Sequence, residues 1–395
     1  MDGMDKIFPC GFPAPTAAYL VLYVVTLVIH VLFMNYVLAG SAVLAIEGLY
    51  RWSTHGGKTP SPTRELLRDW LPFALSAAIT AGIAPLLFVQ ILYQRQFYTA
   101  NLLLEHRWMV ILPVLIVGFY LLYLLKSKAI ASWKPWQRAL TGAVAMLCFW
   151  FTAYTWTENH MLSLHDEQWT DFYEQGRFFF WDPQMVPRLT AWVMGAFPTM
   201  ALLVAWQLRQ KSRAFDSNVA AGTAPEIPES SMSAPQAVGS VWHPASVEPA
   251  VRTLAVISLL GMAVSAAGGL WYYSLGNAAM QAALLSPLAG PYLIAAAVGS
   301  LIQAIGWFAA LKTGKLHTGI LIAQSAGLLL TLCGMSVARE AIRLSAIPIA
   351  MLYDQHAHAS TVGGFPLFIL FMVVNALLIA YCIKLARPKP PAQPS

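Results

Sequence analysis

Charge is what this sequence has least of: 11% of its 395 residues are Asp, Glu, Lys or Arg, where soluble domains carry about 25%. That scarcity excludes an ordinary water-soluble domain. Period-two alternation of apolar and polar residues is not evident either, which argues against a membrane β-barrel. Cysteine is limited to Cys10, Cys148, Cys333 and Cys382, scattered along the chain. There is no CxxCH motif for c-type haem and no cysteine cluster for an iron–sulfur centre. The start, MDGMDKIFPCGFPAP, is acidic and proline-rich, which is not the pattern of a cleavable signal peptide. The net charge of +6 does not point to nucleic acid, because the basic residues fall between hydrophobic blocks.

What the chain has is apolar length. Hydrophobic residues make up 58% of it, in blocks of about 20 or more, the length that spans a bilayer as a helix. The expected fold is therefore all-α: a polytopic transmembrane helix bundle of about nine spans in contact with lipid. The blocks read as 17–49, 70–93, 108–125, 139–160, 188–208, 252–275, 283–311, 317–338 and 365–386. Residues 213–249, rich in Ala, Ser and Pro, have little to bury and read as a disordered linker. They divide spans one to five (1–212) from spans six to nine and a short basic tail (250–395). The acidic, aromatic stretch 161–187 reads as a loop or short helix on the outer membrane surface.

Charge counting orients the bundle. With the N-terminus outside and the C-terminus in the cytoplasm, 17 of the 24 basic residues are cytoplasmic, among them Arg51, Lys58, Lys126, Arg209, Lys312 and Lys389. On the same map 11 of the 18 acidic residues lie on the outer side. This is the asymmetry of the positive-inside rule.

An ionisable residue deep in a span is a functional candidate because leaving it unpaired is costly. Of nine histidines only His30 lies well inside a span, in LVIHVLFMNYVLAGSAVLAIE, about 20 Å along the helix from Ala17. The run Ala39, Gly40, Ser41, Ala42 follows, as it would where a flat cofactor or a second helix approaches closely. A neutral imidazole is the usual axial ligand of haem b; the alternative is a histidine hydrogen-bonded between helices.

Span eight closes with LCGMSVAREAIRLSAI, which places Arg339, Glu340 and Arg343 at the outer membrane edge. Glu340 and Arg343 are i, i+3 neighbours able to pair on one helical face. Such a carboxylate can ligate iron, pass protons or bind a quinol hydroxyl, and Arg343 can hold a haem propionate. The alternative is an ion pair that anchors the helix at the rim. Met335, a turn deeper, is a thioether ligand or a packing residue. His160, His165, His356 and His358 read as outer-surface residues, metal-binding or plain polar. In span two Gly82 and Pro85 are expected to distort the helix, and Gln90 is an amide in need of a partner.

Together these motifs resemble the haem-bearing subunit I of the cytochrome bd superfamily. IHVLFMNYVLAGSAVLAIE is similar to its first helix and ITAGIAPLLFVQILYQRQFY to a segment of its next. CGMSVAREAIRLSAI keeps the glutamate and arginine of its late-helix signature as Glu340 and Arg343. The resemblance implies a multi-pass protein of a bacterial inner membrane, with haem b, His30 and Glu340 as iron ligands, and Arg343 as a haem-site partner. It further implies quinone as a second cofactor and a periplasmic cytochrome c or another redox subunit as partner. Two departures stand out: VPRLTAWVMGAFP lacks the family's histidine early in span five, and only 276–282 separates spans six and seven, where the family has a long quinol-binding loop. The expected function is membrane electron transfer between a quinol or cytochrome c and an acceptor. Against it stand a haem-free structural or quinone-binding anchor and, with no internal repeat apparent, a transporter.

Overall fold

A computed structural model describes residues 10–54, 61–220, 242 and 244–386. The described residues are almost wholly helical and contain no strand. The helices are α1 (Ala14–Ser53), α2 (Pro62–Leu92), α3 (Gln94–Lys126), α4 (Pro135–Leu162), α5 (Trp169–Glu174) and α6 (Met185–Ala220). They continue with α7 (Pro244–Leu275), α8 (Ala278–Leu285), α9 (Gly290–Thr313), α10 (Thr318–Ala346), α11 (Ile349–Val362) and α12 (Phe365–Ala386). Eight of these are long and apolar enough to cross a membrane, and α11 with α12, bent by 64°, makes a ninth if taken as one broken span. The chain is thus an all-α, multi-pass membrane protein.

The expected spans hold in type and order but shift at their ends for local reasons. α3 begins well before 108 and carries a non-helical break at Glu105, with φ 44° and ψ −122°. The seventh span starts at Gly290, not 283, because Ser286 is extended (ψ 163°) ahead of Pro287, as a residue before proline prefers. α10 runs to Ala346 and stops before Pro348, which puts Glu340 and Arg343 inside the helix. Pro85 does not break α2. The linker expected at 213–249 is helical at both ends, in α6 and α7; its centre, 221–241, lies outside the described residues, as do Lys58 and the tail from Arg387. The surface segment 161–187 contains a 3₁₀ turn, Asp166–Gln168, and the short α5.

α1 is the hub and packs on α2, α4, α6 and α10. Its small-residue run is buried and accommodates a helix, since a side chain at Gly40 would meet Leu67 and Leu71 of α2. The other extensive pairings are α6 with α7 and α9 with α10. In lipid, close packing between helices replaces the hydrophobic drive available in water. Accordingly α9 and α10 touch backbone to backbone: a Cβ on Gly299 would collide with the Gly327 carbonyl, and one on Gly327 with that of Gly299. α12 is different. Only its first turn is docked, with Phe365 and Phe368 against Tyr19 and the Tyr19 hydroxyl donating to the Gly363 carbonyl at 3.0 Å. Leu370, Phe371, Val374, Leu377 and Tyr381 are all exposed.

Gly327→Leu is expected to destabilise the detergent-solubilised protein by about 1–3 kcal/mol through overpacking. Gly319→Leu, where a side chain meets open space, is expected to leave the thermal midpoint nearly unchanged. Equal midpoints for the two variants would contradict the α9–α10 contact.

Candidate functional site

The polar groups of the bundle gather toward one end, where α1, α2, α4 and α10 converge. Glu340 on α10 is fully buried, and a carboxylate there needs a cation and donors. Arg343, one turn on, donates through Nη1 to both of its oxygens at 2.9 and 3.1 Å. The Tyr93 hydroxyl from the end of α2 donates to Oε2 at 2.9 Å. The Arg343 guanidinium lies over the Tyr93 ring at 4.3 Å and the Tyr23 ring of α1 at 5.8 Å, adding cation–π attraction. Arg339, one turn back, donates to the Tyr23 hydroxyl at 2.6 Å.

His160 completes the cluster from α4. It is buried, and its Nδ1 lies 3.3 Å from Arg343 Nη2. A guanidinium only donates, so Nδ1 carries the lone pair and the neutral ring bears its proton on Nε2. That Nε2–H has no hydrogen-bond partner. A cavity of about 20 Å³ lies beside it, lined by Tyr93, Gln96, Trp156, Asn159, Arg339 and Arg343 among others. Such a space admits one water or a single oxygen of a larger group.

The sequence-derived candidates are only partly brought together. Glu340 and Arg343 pair as expected and face the interior and α1. Both are buried within the bundle and do not face outward from it. His30 lies on the same face of α1 as Tyr23, two turns deeper, or about 10 Å along the axis. Its Nδ1 is 2.9 Å from the Ala78 carbonyl, so Nδ1 carries the proton and Nε2 the lone pair. Gly82 of α2 makes room for this ring, which a Cβ would contact. Met335 is half exposed on the outer face of α10, while Ser336 and Val337 beside it are buried; it does not join the cluster, because the helical turn aims it away from Glu340.

The residues fit an implied haem unevenly. His30 presents the lone pair that iron requires, held by a carbonyl in the way metal-ligating histidines commonly are. Glu340 does not fit, since both its oxygens are occupied by Arg343 and Tyr93, and a cavity of about 20 Å³ is far below the several hundred Å³ a cofactor site occupies. Among the described residues no group of three or more His, Cys, Asp and Glu is arranged to hold a metal ion.

Two of the supposed surface histidines are interior. His160 is one; His356 on α11 is the other, fully buried with neither ring nitrogen partnered. It stacks on Phe12 at 3.8 Å beneath a segment in which the Tyr353 hydroxyl donates to the Cys10 carbonyl at 3.2 Å. Burial pushes the Cys10 thiol up to about 11. His165 and His358 do lie toward the surface.

A second buried ion pair was not singled out from the sequence. Arg107 Nη1 donates to Glu158 Oε2 at 2.6 Å, and the Phe180 N–H donates to Oε1 at 2.7 Å. The guanidinium sits over the Phe178 and Phe179 rings at 4.9 and 4.6 Å. This pair clasps the 161–187 segment to α3 and α4. The signal was available: Glu158, Asn159 and His160 are consecutive polar residues at the end of an apolar span.

No known protein family and no curated protein matches the chain.

Glu340→Leu is expected to cost about 3–5 kcal/mol of stability, because it strands Arg343 as an unpaired buried charge. Glu340→Leu combined with Arg343→Met removes that stranded charge and is expected to recover part of the loss. Denaturation of purified protein in detergent checks the order; a double variant less stable than the single one would contradict it.

Proposed function

We propose that this chain is a membrane electron-transfer subunit, a divergent relative of cytochrome bd subunit I, placed in a bacterial inner membrane with its N-terminus outside. In this reading it oxidises a quinol at the outer end of the bundle and delivers electrons to a periplasmic cytochrome c or another redox subunit. The observation that carries the reading is Glu340, a fully buried carboxylate bridging Tyr93 and Arg343 next to a cavity the size of one oxygen-bearing group. Intramembrane ionisable groups mark ion, proton or substrate paths by default. A quinol hydroxyl at the cavity mouth can lose its proton to the oxygen of Tyr93, which lines the cavity, as Tyr93 passes its own proton to Glu340 and Arg343 offsets the remaining charge.

A second reading, haem b on His30, is favoured by the ring's geometry: Nδ1 anchored on Ala78 and Nε2 bearing the lone pair. Bound there, the haem would supply one-electron redox chemistry, and His30 would hold its iron. The Glu340 site does not depend on it. A haem-free anchor is the competing function, and it predicts no redox spectrum and no quinone binding.

Titration of the purified protein with a quinone analogue, read by tryptophan quenching, tests the first reading. Glu340→Gln and Tyr93→Phe are expected to weaken binding about tenfold each, the loss of roughly one hydrogen bond; unchanged affinity in both would overturn it. A reduced-minus-oxidised spectrum with a Soret band absent from His30→Ala supports the haem reading, and its presence in that variant refutes His30 as ligand. Reporter fusions near Trp169 are expected to be active outside and those after Lys389 in the cytoplasm; reversal of either sinks the orientation.

A further inference from the structure

The charges around His160 do not balance. Arg188, Arg339 and Arg343 lie within electrostatic reach of its ring, and Arg188 is within reach of the other two guanidinium groups. Against these three cations the cluster holds one carboxylate, Glu340, already bound to Arg343. Arg339 donates to the Tyr23 hydroxyl. Arg188, on α6, donates to the Tyr272 hydroxyl of α7 at 2.9 Å, lies over that ring at 5.4 Å, and has its Nη1 3.9 Å from Met161, the residue after His160. Among the described residues neither Arg188 nor Arg339 has a carboxylate within ion-pair distance.

Phenols and a thioether do not neutralise a guanidinium. Two cations held within the packed end of the bundle without counter-charge are costly, and a bundle that keeps them has a use for the positive potential they create. The orphan Nε2–H of His160 adds a neutral donor aimed at nothing else in the protein. The cavity is lined by His160, Arg339 and Arg343; Arg188 does not line it but reaches Met161, the residue after His160.

We propose that Arg188, Arg339 and His160 form a binding site for a single oxyanion group, a phosphate or phosphodiester, at the end of the bundle where α4, α6 and α10 meet. The guanidinium groups supply charge-assisted hydrogen bonds, and His160 Nε2–H fills a third acceptor position. The cavity, of about 20 Å³, has room for one oxygen of such a group and excludes a bulkier ring. Either a free inorganic anion or the headgroup of an anionic phospholipid offers this chemistry. The oxyanion would share this cavity with the quinol hydroxyl proposed above and so exclude it while bound, but its donors, Arg188, Arg339 and the His160 Nε2–H, are not those of the Glu340 proton chemistry.

Thermal unfolding of the full-length protein in a nonionic detergent tests it. One arm adds inorganic phosphate against chloride at matched ionic strength; the other adds short-chain phosphatidylglycerol against phosphatidylcholine. Stabilisation by phosphate assigns a free anion, and stabilisation by phosphatidylglycerol alone assigns a headgroup. Arg339→Gln is expected to weaken the apparent affinity about tenfold or more, while Arg252→Gln, at an exposed ion pair elsewhere, leaves it unchanged. Where Arg339→Gln does not fold, phenylglyoxal modification of Arg339 in the wild-type protein, mapped by peptide mass, is expected to slow in the presence of the stabilising anion. No stabilisation in either arm, an equal response from Arg252→Gln, or undiminished modification of Arg339 overturns the proposal. None of these readouts involves quinone binding or a redox spectrum, so the two assignments fail separately.

Discussion

A carboxylate inside a bilayer-spanning bundle stays only where the protein brings a cation and hydrogen-bond donors to it, and Glu340 sets that demand here. Its cation comes from its own helix, one turn away, while its second donor comes from the far end of α2. The arginine that answers it lies over rings from α1 and α2 and reaches a histidine on α4. Four helices are therefore fixed against one another at one level by a single charge. The lower part of the bundle needs no such device, because α1 with α2 and α9 with α10 approach on small residues.

The polar architecture is lopsided. The two buried ion pairs among the described residues, Glu340 with Arg343 within α10 and Glu158 with Arg107 between α4 and α3, lie near the end that carries the 161–187 segment. The first pair organises the interior of the site. The second ties down its roof, because Glu158 also accepts from the Phe180 backbone. Replacing either pair by apolar side chains of similar size is not expected to cost much stability in itself, so the structural effect of each pair lies in what it positions. For Glu340 that is the neighbouring cavity; for Glu158 it is the aromatic segment above it.

Much of the bundle was legible in the sequence because apolar length and basic loops are one-dimensional signals. The pairing of Glu340 with Arg343 was legible for the same reason, since helix periodicity alone puts i and i+3 on one face. What could not be read was which helices meet. Tyr93 follows the last residue of α2, and nothing in its local sequence says that it donates to a carboxylate on α10. His160 and His356 looked like surface residues because each sits where hydropathy falls; tertiary packing buries both. Met335 shows the converse, an apolar residue near the right place that the helical turn aims outward. The extent of α10 was misjudged because Arg339, Glu340 and Arg343 lower the hydropathy of a segment that remains helical until Pro348.

The bend before α12 sets how the end of the chain behaves mechanically. The helix is held at one joint, where Gly363 meets Tyr19 and Gly364 adopts φ 62°, and the side chains from Leu370 to Leu378 are exposed. A rod of 22 residues, about 33 Å long, hinged at one end behaves as a lever under lateral pressure from the bilayer. Any torque it transmits arrives at Tyr19 and Phe88, which pack against its first turn, on the same two helices that supply Tyr23 and Tyr93.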